Sequence, residues 1–458
     1  MRLEIPLLFG VALVIGVACG GSGSSPEDSS GTPSNTGGAG AGKADQVGDA
    51  SAGDSSADEP REDWTRDILS TDLSLDLTER KGTAVIRIAP SESTSVSLEV
   101  KGLVVTDVRG GDGPVRYVVR DGRLDVETPH GDEPIELQVE YGFSVHNSFD
   151  GYMSSGVTFL WPYFCSNLFP CKSVPDDGLR FTLAVEGVPS GKQAVFPTEI
   201  PSDAPSYMPA IAVGAYEYES LGTTEAGTKV GVWYLPGGRS SALIGTKYLA
   251  AAFGWFETTY GPYAFGKDVA SVSASWGPGA YGGMEHHPYW HVGSGAMSDV
   301  ETHVHEAGHG WYGNGVRIRC WEDFVLSEGT TTYITARAIE SVADPTVAAG
   351  IWKGYRSALE STVASGDTPA WPQGCNEIDL LHHPLWSSIP YMKGAFFYKA
   401  VADEVGVEVL DKVLADFYGQ HVGQAMHMQD MIDAIENDTG FDPGPLAEAW
   451  LRGMGIPQ

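Results

Sequence analysis

Two periods of apolar and polar residues divide this chain. From about Trp64 to Tyr218 apolar positions alternate with polar ones: Leu73 to Leu77, Ala84 to Ile88, Ser95 to Val100, Tyr117 to Val119, Ile135 to Val139 and Phe181 to Val185. A period of two puts every second side chain on one face, as in a half-buried strand. Gly110 to Gly113 and Asp121-Gly122 read as turns between such strands. Strands at this spacing predict an antiparallel β-sandwich. From about Thr228 the period becomes helical. Ser240 to Tyr260 reads as one helix, Val269 to Ala274 as a strand, and Ala395 to Val405, Val407 to Phe417 and Met426 to Asn437 as helices. From Gly20 to about Pro60 there is no period, only Gly, Ser, Ala and Asp. Such a stretch cannot bury enough apolar surface to offset the entropy of ordering, and reads as a flexible tether. The expected organisation is a leader at 1–19, a tether at 20–63, a β-domain at 64–225 and a mainly helical domain at 226–458.

The leader carries Arg2 and then an apolar run from Ile5 to Val17, too short to span a bilayer as a mature helix. It ends at Gly16-Val17-Ala18-Cys19, which resembles a bacterial lipoprotein processing site with Cys19 as the lipid carrier. The alternative is a plain secretory signal cut nearby. Either way the protein is expected to be exported, to the cell envelope on a lipid anchor or to the outside. The formal net charge of −32 repels nucleic acid and anionic membrane, so the expected partners include no nucleic acid, and membrane only through that anchor. Beyond Cys19, the chain has Cys165, Cys171, Cys320 and Cys375, an even number for an oxidising compartment. Sequence proximity favours Cys165 with Cys171 and Cys320 with Cys375, among three possible pairings.

The chemistry concentrates between Glu301 and Tyr333. His305-Glu306-Ala307-Gly308-His309 places two imidazoles four apart, on one face of a helix. Two imidazoles suit zinc, and a catalytic zinc takes a third protein ligand and keeps an open position. Glu328 is the evident third ligand, with 18 residues between it and His309, at the start of a second helical stretch. One Zn2+ per chain is expected on His305, His309 and Glu328, with Glu306 beside it as general base. His286, His287, His291 and His303 crowd the same region but lack a repeated ligand spacing.

The stretch HEAGHGWYGNGVRIRCWEDFVLSEG resembles the zinc aminopeptidases of the gluzincin type, the group with alanyl and leucyl aminopeptidases and leukotriene hydrolase. Tyr312 stands where that pattern has Phe, and Ser327 where it has Asn. The resemblance implies an α+β multidomain fold: an antiparallel β-sandwich followed by a thermolysin-like, mainly helical zinc-peptidase domain. It extends to Gly282-Gly283-Met284-Glu285-His286, where the family's Glu grips the free N-terminus of the substrate. Gly282, Gly283, Met284 and Glu285 are thus the expected substrate-binding residues, with His286 replacing an Asn. Tyr391-Met392-Lys393-Gly394 matches the family's segment whose Tyr donates to the oxyanion. Leu168 to Pro175 echoes a segment of the family's β-domain, with Lys172-Ser173 in place of an acidic pair. The family's upstream amine contact falls near Phe159 to Trp161. The chain also resembles a version without the family's C-terminal helical domain, since its segment Trp450 to Pro457 matches the close of the catalytic domain.

The resemblance implies a zinc aminopeptidase acting on peptides with a free N-terminus. A thermolysin-like endopeptidase would share the ligands without needing Glu285. An inactive binding lipoprotein would need neither Glu306 nor Tyr391.

Overall fold

The computed structural model describes residues 59–111, 113–277 and 282–457. The leader, Cys19 and most of the tether lie outside them. Among the described residues no helix is long and apolar enough to cross a membrane.

The alternating segments form a seven-stranded sheet in the order Glu199–Pro205, Gly178–Glu186, Ile68–Asp76, Lys81–Ile88, Ile135–Phe143, Leu103–Gly110, Gly113–Pro114. Its apolar face holds Leu73, Leu75, Ala84, Ile86, Leu137 and Val139, all buried. A three-stranded sheet of Ser95–Glu99, Arg123–Glu127 and Tyr117–Arg120 adds Val96, Leu98, Leu124 and Val126 to the same core. Asp121 and Gly122 both have positive φ (49° and 77°), the conformation a two-residue hairpin turn requires. One pairing departs from the antiparallel expectation. Ile68–Asp76 and Gly178–Glu186 run parallel, with Leu73 opposite Leu183. Alternation encodes which face is buried, not the direction of the neighbour, so the pattern could not show it. The structure also bonds Cys165 to Cys171 and Cys320 to Cys375.

The helical half opens on a second sheet that the periodicity mostly hid. Its order is Glu217–Thr223, Lys229–Tyr234, Asp268–Ala274, Tyr289–Gly293, Gly283–Met284. The boundary read at 225 therefore needs correcting: it falls in the turn of the hairpin Glu217–Thr223/Lys229–Tyr234, and the sheet begins at Glu217. The helix read over Ser240 to Tyr260 is two, Arg239–Gly245 and Leu249–Tyr260. The first stops where Gly245 lies against the segment entering the motif helix; a Cβ there would come within 2.4 Å of the Met297 carbonyl and 2.7 Å of the His303 ring.

Three helices then carry the site: Val300–Gly308, Phe324–Val342 and Ile389–Val405. The first is started by Asp299, whose carboxylate accepts the Glu301 N–H and the Thr302 hydroxyl. The third is pinned by Lys393, fully buried, whose ammonium donates to Asp367, the Thr368 carbonyl and the Gly453 carbonyl at 2.9–3.2 Å. Trp450 stacks on Phe396 of the same helix, with centroids 5.4 Å apart.

Candidate active site

One helical turn separates His305 from His309, and Phe324–Val342 crosses so that Glu328 faces both. His305 Nε2 lies 3.1 Å from His309 Nε2, and Glu328 Oε2 lies 3.1 Å from the first and 3.3 Å from the second. Donor atoms about 2.0–2.1 Å from a tetrahedral zinc are roughly 3.3 Å apart, so this triangle fits the ion. The donor chemistry fits as well. His309 Nδ1 lies 3.0 Å from the Tyr312 carbonyl, which can only accept. Nδ1 therefore carries a proton, which leaves Nε2 as the atom that a metal would use. Thr331 also donates to that carbonyl. Burial alone would push the Glu328 carboxyl up, but the positive charge of a protonated His309, with hydrogen bonds from both imidazoles, holds it down to about 2. It is an anion in the position where a cation's charge would be met.

Gly313 makes this arrangement possible. Its φ is +101°, and a Cβ there would sit 2.6 Å from His309 Nδ1 and 2.5 Å from the Ser327 hydroxyl.

Glu306 points beside the triad. Its carboxyl is buried, which pushes its pKa well above the usual range, and Oε2 has no hydrogen-bond partner in the structure. The edge strand Gly283–Met284 passes directly over it. A Cβ on Gly283 would lie 2.4–2.5 Å from the Glu306 side chain, so only glycine lets the backbone this close.

The same strand delivers Glu285. Its backbone carbonyl accepts from the Asn314 side-chain amide, which ties the strand end to the turn after the motif helix. Its side chain is buried. Burial pushes the carboxyl up, His309 opposes this and Glu328 adds to it. Oxygens of Glu285 and Glu306 and a ring nitrogen of His309 lie within 4.8 Å of one another. Gly282 precedes the strand with φ +93° and accepts from the Gly293 N–H, and Met284 lines the cleft.

Tyr391 closes the far side, its ring centroid 5.8 Å from that of His305. Burial first, then Glu328, Glu285 and Glu306, hold its hydroxyl well above its ordinary pKa, so it is a donor.

The structure thus brings His305, His309, Glu328, Glu306, Gly283, Met284, Glu285 and Tyr391 to one cleft. It adds two walls that periodicity did not reveal, Trp161 from the β-domain and Trp386 from the loop before the tyrosine helix, with centroids 5.4 Å apart. Tyr207, beside Glu285 in an adjoining cavity, was also missed. The structure leaves His286, His287 and His291 buried away from the triad, and His303 on the back of the motif helix bonded to Ser271 and the Met297 carbonyl.

Residues 293–450, which include the triad, Glu306 and Tyr391, match the peptidase family M1 domain. The chain is 25% identical over 327 residues to aminopeptidase M1-B of Oryza sativa subsp. japonica, covering 63% of this chain and 36% of that protein. It is 26% identical over 355 residues to leucine aminopeptidase 2 of Chaetomium globosum, covering 69% and 55%. It therefore spans little more than a third to about half of those two proteins. The fold is similar to that of an M1 zinc metallopeptidase mutant from Deinococcus radiodurans, solved with Tyr-Ser-Ala bound. The TM-score is 0.74 at 17% identity, over 86% of this chain and 95% of that one. The matched stretch begins inside the five-stranded sheet, so Glu285 and its strand lie just before it.

Proposed function

We propose that this chain is a zinc aminopeptidase. One observation carries the reading: Glu285, a buried carboxylate at the end of an edge strand, lies within 4.8 Å of the Glu306 carboxylate and a His309 nitrogen. In an α-amino acid the amine nitrogen and the carbonyl carbon are only about 2.5 Å apart. An ammonium gripped by Glu285 therefore leaves room for one residue before the reacting bond, which favours removal of the first residue over internal cleavage. The peptide-bound neighbour and the aminopeptidase relatives support a peptide substrate.

His305, His309 and Glu328 would hold one zinc ion. When bound, zinc supplies Lewis acidity, polarising a carbonyl and making water a better acid. The chain's residues do the rest. Glu285 binds the ammonium and fixes the first peptide bond. Glu306, poised by burial to accept a proton, takes one from water and passes it to the leaving amine. The Tyr391 hydroxyl donates to the carbonyl oxygen as negative charge develops there. Trp161 and Trp386 keep bulk water from the cleft, which strengthens these contacts.

Zinc content by elemental analysis, together with hydrolysis of aminoacyl amides with free and acetylated amines, tests the reading. Stoichiometric zinc with cleavage of the free-amine series alone is expected. Equal cleavage of both would turn the assignment to an endopeptidase, and an absence of both zinc and turnover to a binding protein.

We also infer export, with lipid on Cys19. The leader pattern supports it, as do two disulfides, which persist in oxidising compartments. Cys19→Ser should move the protein from the membrane fraction to the soluble one; a wild-type protein already soluble would favour the plain secretory signal.

A further inference from the structure

The last carbonyls of a helix have no intrahelical N–H to accept. At the end of Val300–Gly308 most are met locally: Ala307 accepts from Gly310 at 3.2 Å, and Gly308 from Trp311 at 2.9 Å. In a continuing helix Gly310 would have reached Glu306 instead. The Glu306 carbonyl is met by a side chain, His287, whose Nε2 lies 2.7 Å away.

This bond fixes the state of the imidazole. A carbonyl only accepts, so Nε2 carries the proton and Nδ1 the lone pair. Tyr263 lies 2.7 Å from Nδ1 and so donates its hydroxyl to it. The group is fully buried among rings, with Trp290 at 5.1 Å, Tyr263 at 5.6 Å and Phe265 at 6.1 Å between centroids. Gly310 leaves it room, since a Cβ there would lie 2.7 Å from the Tyr263 ring and 3.1 Å from His287 Cε1.

The position in the chain gives the bond its consequence. His287 stands two residues after Glu285. One short segment therefore holds the amine anchor by its carboxylate and the backbone of the base by its imidazole. We propose that His287 is a positioning residue that sets the spacing between the Glu285 anchor and the Glu306 base, with Tyr263 fixing its tautomer. This rests on the aminopeptidase reading for what the spacing serves. His287 touches neither substrate nor metal ligand; it acts through Glu306.

The test uses His287→Leu, His287→Gln and Tyr263→Phe in the full chain, with zinc content measured for each. Substrates are an aminoacyl amide and its des-amino analogue. His287→Leu should lower kcat/KM on the free-amine substrate about tenfold or more, the cost of an unmet buried acceptor. It should also narrow the preference for the free-amine substrate over the analogue. His287→Gln, whose amide can donate, should recover much of both. A purely structural role would lower the two substrates alike and leave their ratio unchanged, and that result would overturn the proposal. So would wild-type kinetics in His287→Leu. A readout independent of turnover is the 15N spectrum of the histidine-labelled protein. It should show His287 protonated at Nε2 and exchanging slowly, with the tautomer less defined in Tyr263→Phe. Protonation at Nδ1 would overturn the proposal even if His287→Leu fails to fold. If the wild type ignores the free amine altogether, the aminopeptidase reading fails, while the spectrum still decides the hydrogen bond.

Discussion

Gly329 and Gly394 touch backbone to backbone. A Cβ on Gly329 would lie 2.7 Å from the Gly394 Cα, and one on Gly394 would lie 2.5 Å from the Gly329 Cα. Each glycine sits beside a site residue, Gly329 next to Glu328 and Gly394 three after Tyr391. Their contact is what lets the ligand helix and the tyrosine helix cross closely enough for both side chains to reach one cleft. Small residues at a crossing are how helices approach most closely; any larger side chain must push them apart.

Gly394→Ala should therefore damage both functions at once. The Val325 methyl at 2.8 Å could turn aside, but the nearest obstruction is the Gly329 Cα at 2.5 Å, which is backbone, so the helices must separate. Overpacking of this kind costs about 1–3 kcal/mol. A lower Tm, weaker zinc retention against a chelator and reduced turnover are expected together. Normal zinc affinity and turnover in Gly394→Ala would show that the crossing does not hold the site.

Glu306→Gln should separate metal binding from chemistry. Glu306 lies beside the triad, not in it, and the amide is nearly isosteric but cannot take a proton. Zinc content should stay at the wild-type level while kcat falls by about two to four orders of magnitude. Loss of zinc from this variant would mean that the ligand set is wrong.

Much of this site was legible because helical spacing converts directly into space. His305, Glu306 and His309 lie within a little over one turn, and Glu328 was recognisable at the head of the next helix. Glu285 and Tyr391 became legible only through resemblance, since G-G-M-E and Y-M-K-G are ordinary local sequences. Trp161 and Trp386 come from segments more than 200 residues apart, and no local period points them at one cleft. The strand Lys229–Tyr234 was hidden for a related reason. It is short and central, and its burial pattern is nearly continuous where an edge strand would alternate. The crossing of Gly329 and Gly394 was visible as two glycines but not as a contact, because sequence shows a missing Cβ and not what fills its place.

Acid should destabilise the protein through its buried histidines. Burial pushes His287 and His291 down to about 3, and His286 well below its ordinary value. In the unfolded chain each titrates near 6.5, so as pH falls the unfolded state takes up protons first. The stability these groups allow is fully present above about pH 6.5 and is lost as pH descends from there toward 3. Each contributes a slope of up to about 1.4 kcal/mol per pH unit. Urea unfolding should show stability falling by a few kcal/mol between pH 7 and pH 5, with a shallower fall in His291→Gln. An identical acid limb in that variant would argue against His291 as a source.

The strongest test of the reading falls on Glu285. Its backbone is held by Asn314 and its strand by Val292 and His291, so the carboxylate can be changed without moving the chain that carries it. Glu285→Gln keeps the shape and removes the charge. The buried carboxylate costs free energy to hold, as its raised pKa shows, and an arriving ammonium offsets that cost. The amide would gain nothing comparable. Free-amine substrates should therefore lose about 2 kcal/mol or more of transition-state binding, a fall of roughly thirtyfold or greater in kcat/KM. Zinc content should not change, because Glu285 is not in the triad. Acetylated substrates, already poor, should change little or improve, since they no longer face an unpaired buried charge. The informative quantity is thus the ratio of kcat/KM between free and acetylated substrates, which should collapse toward unity. If Glu285→Gln lowers both series equally and the ratio survives, another group grips the amine, and the Trp161 wall of the same cleft would be the next place to look.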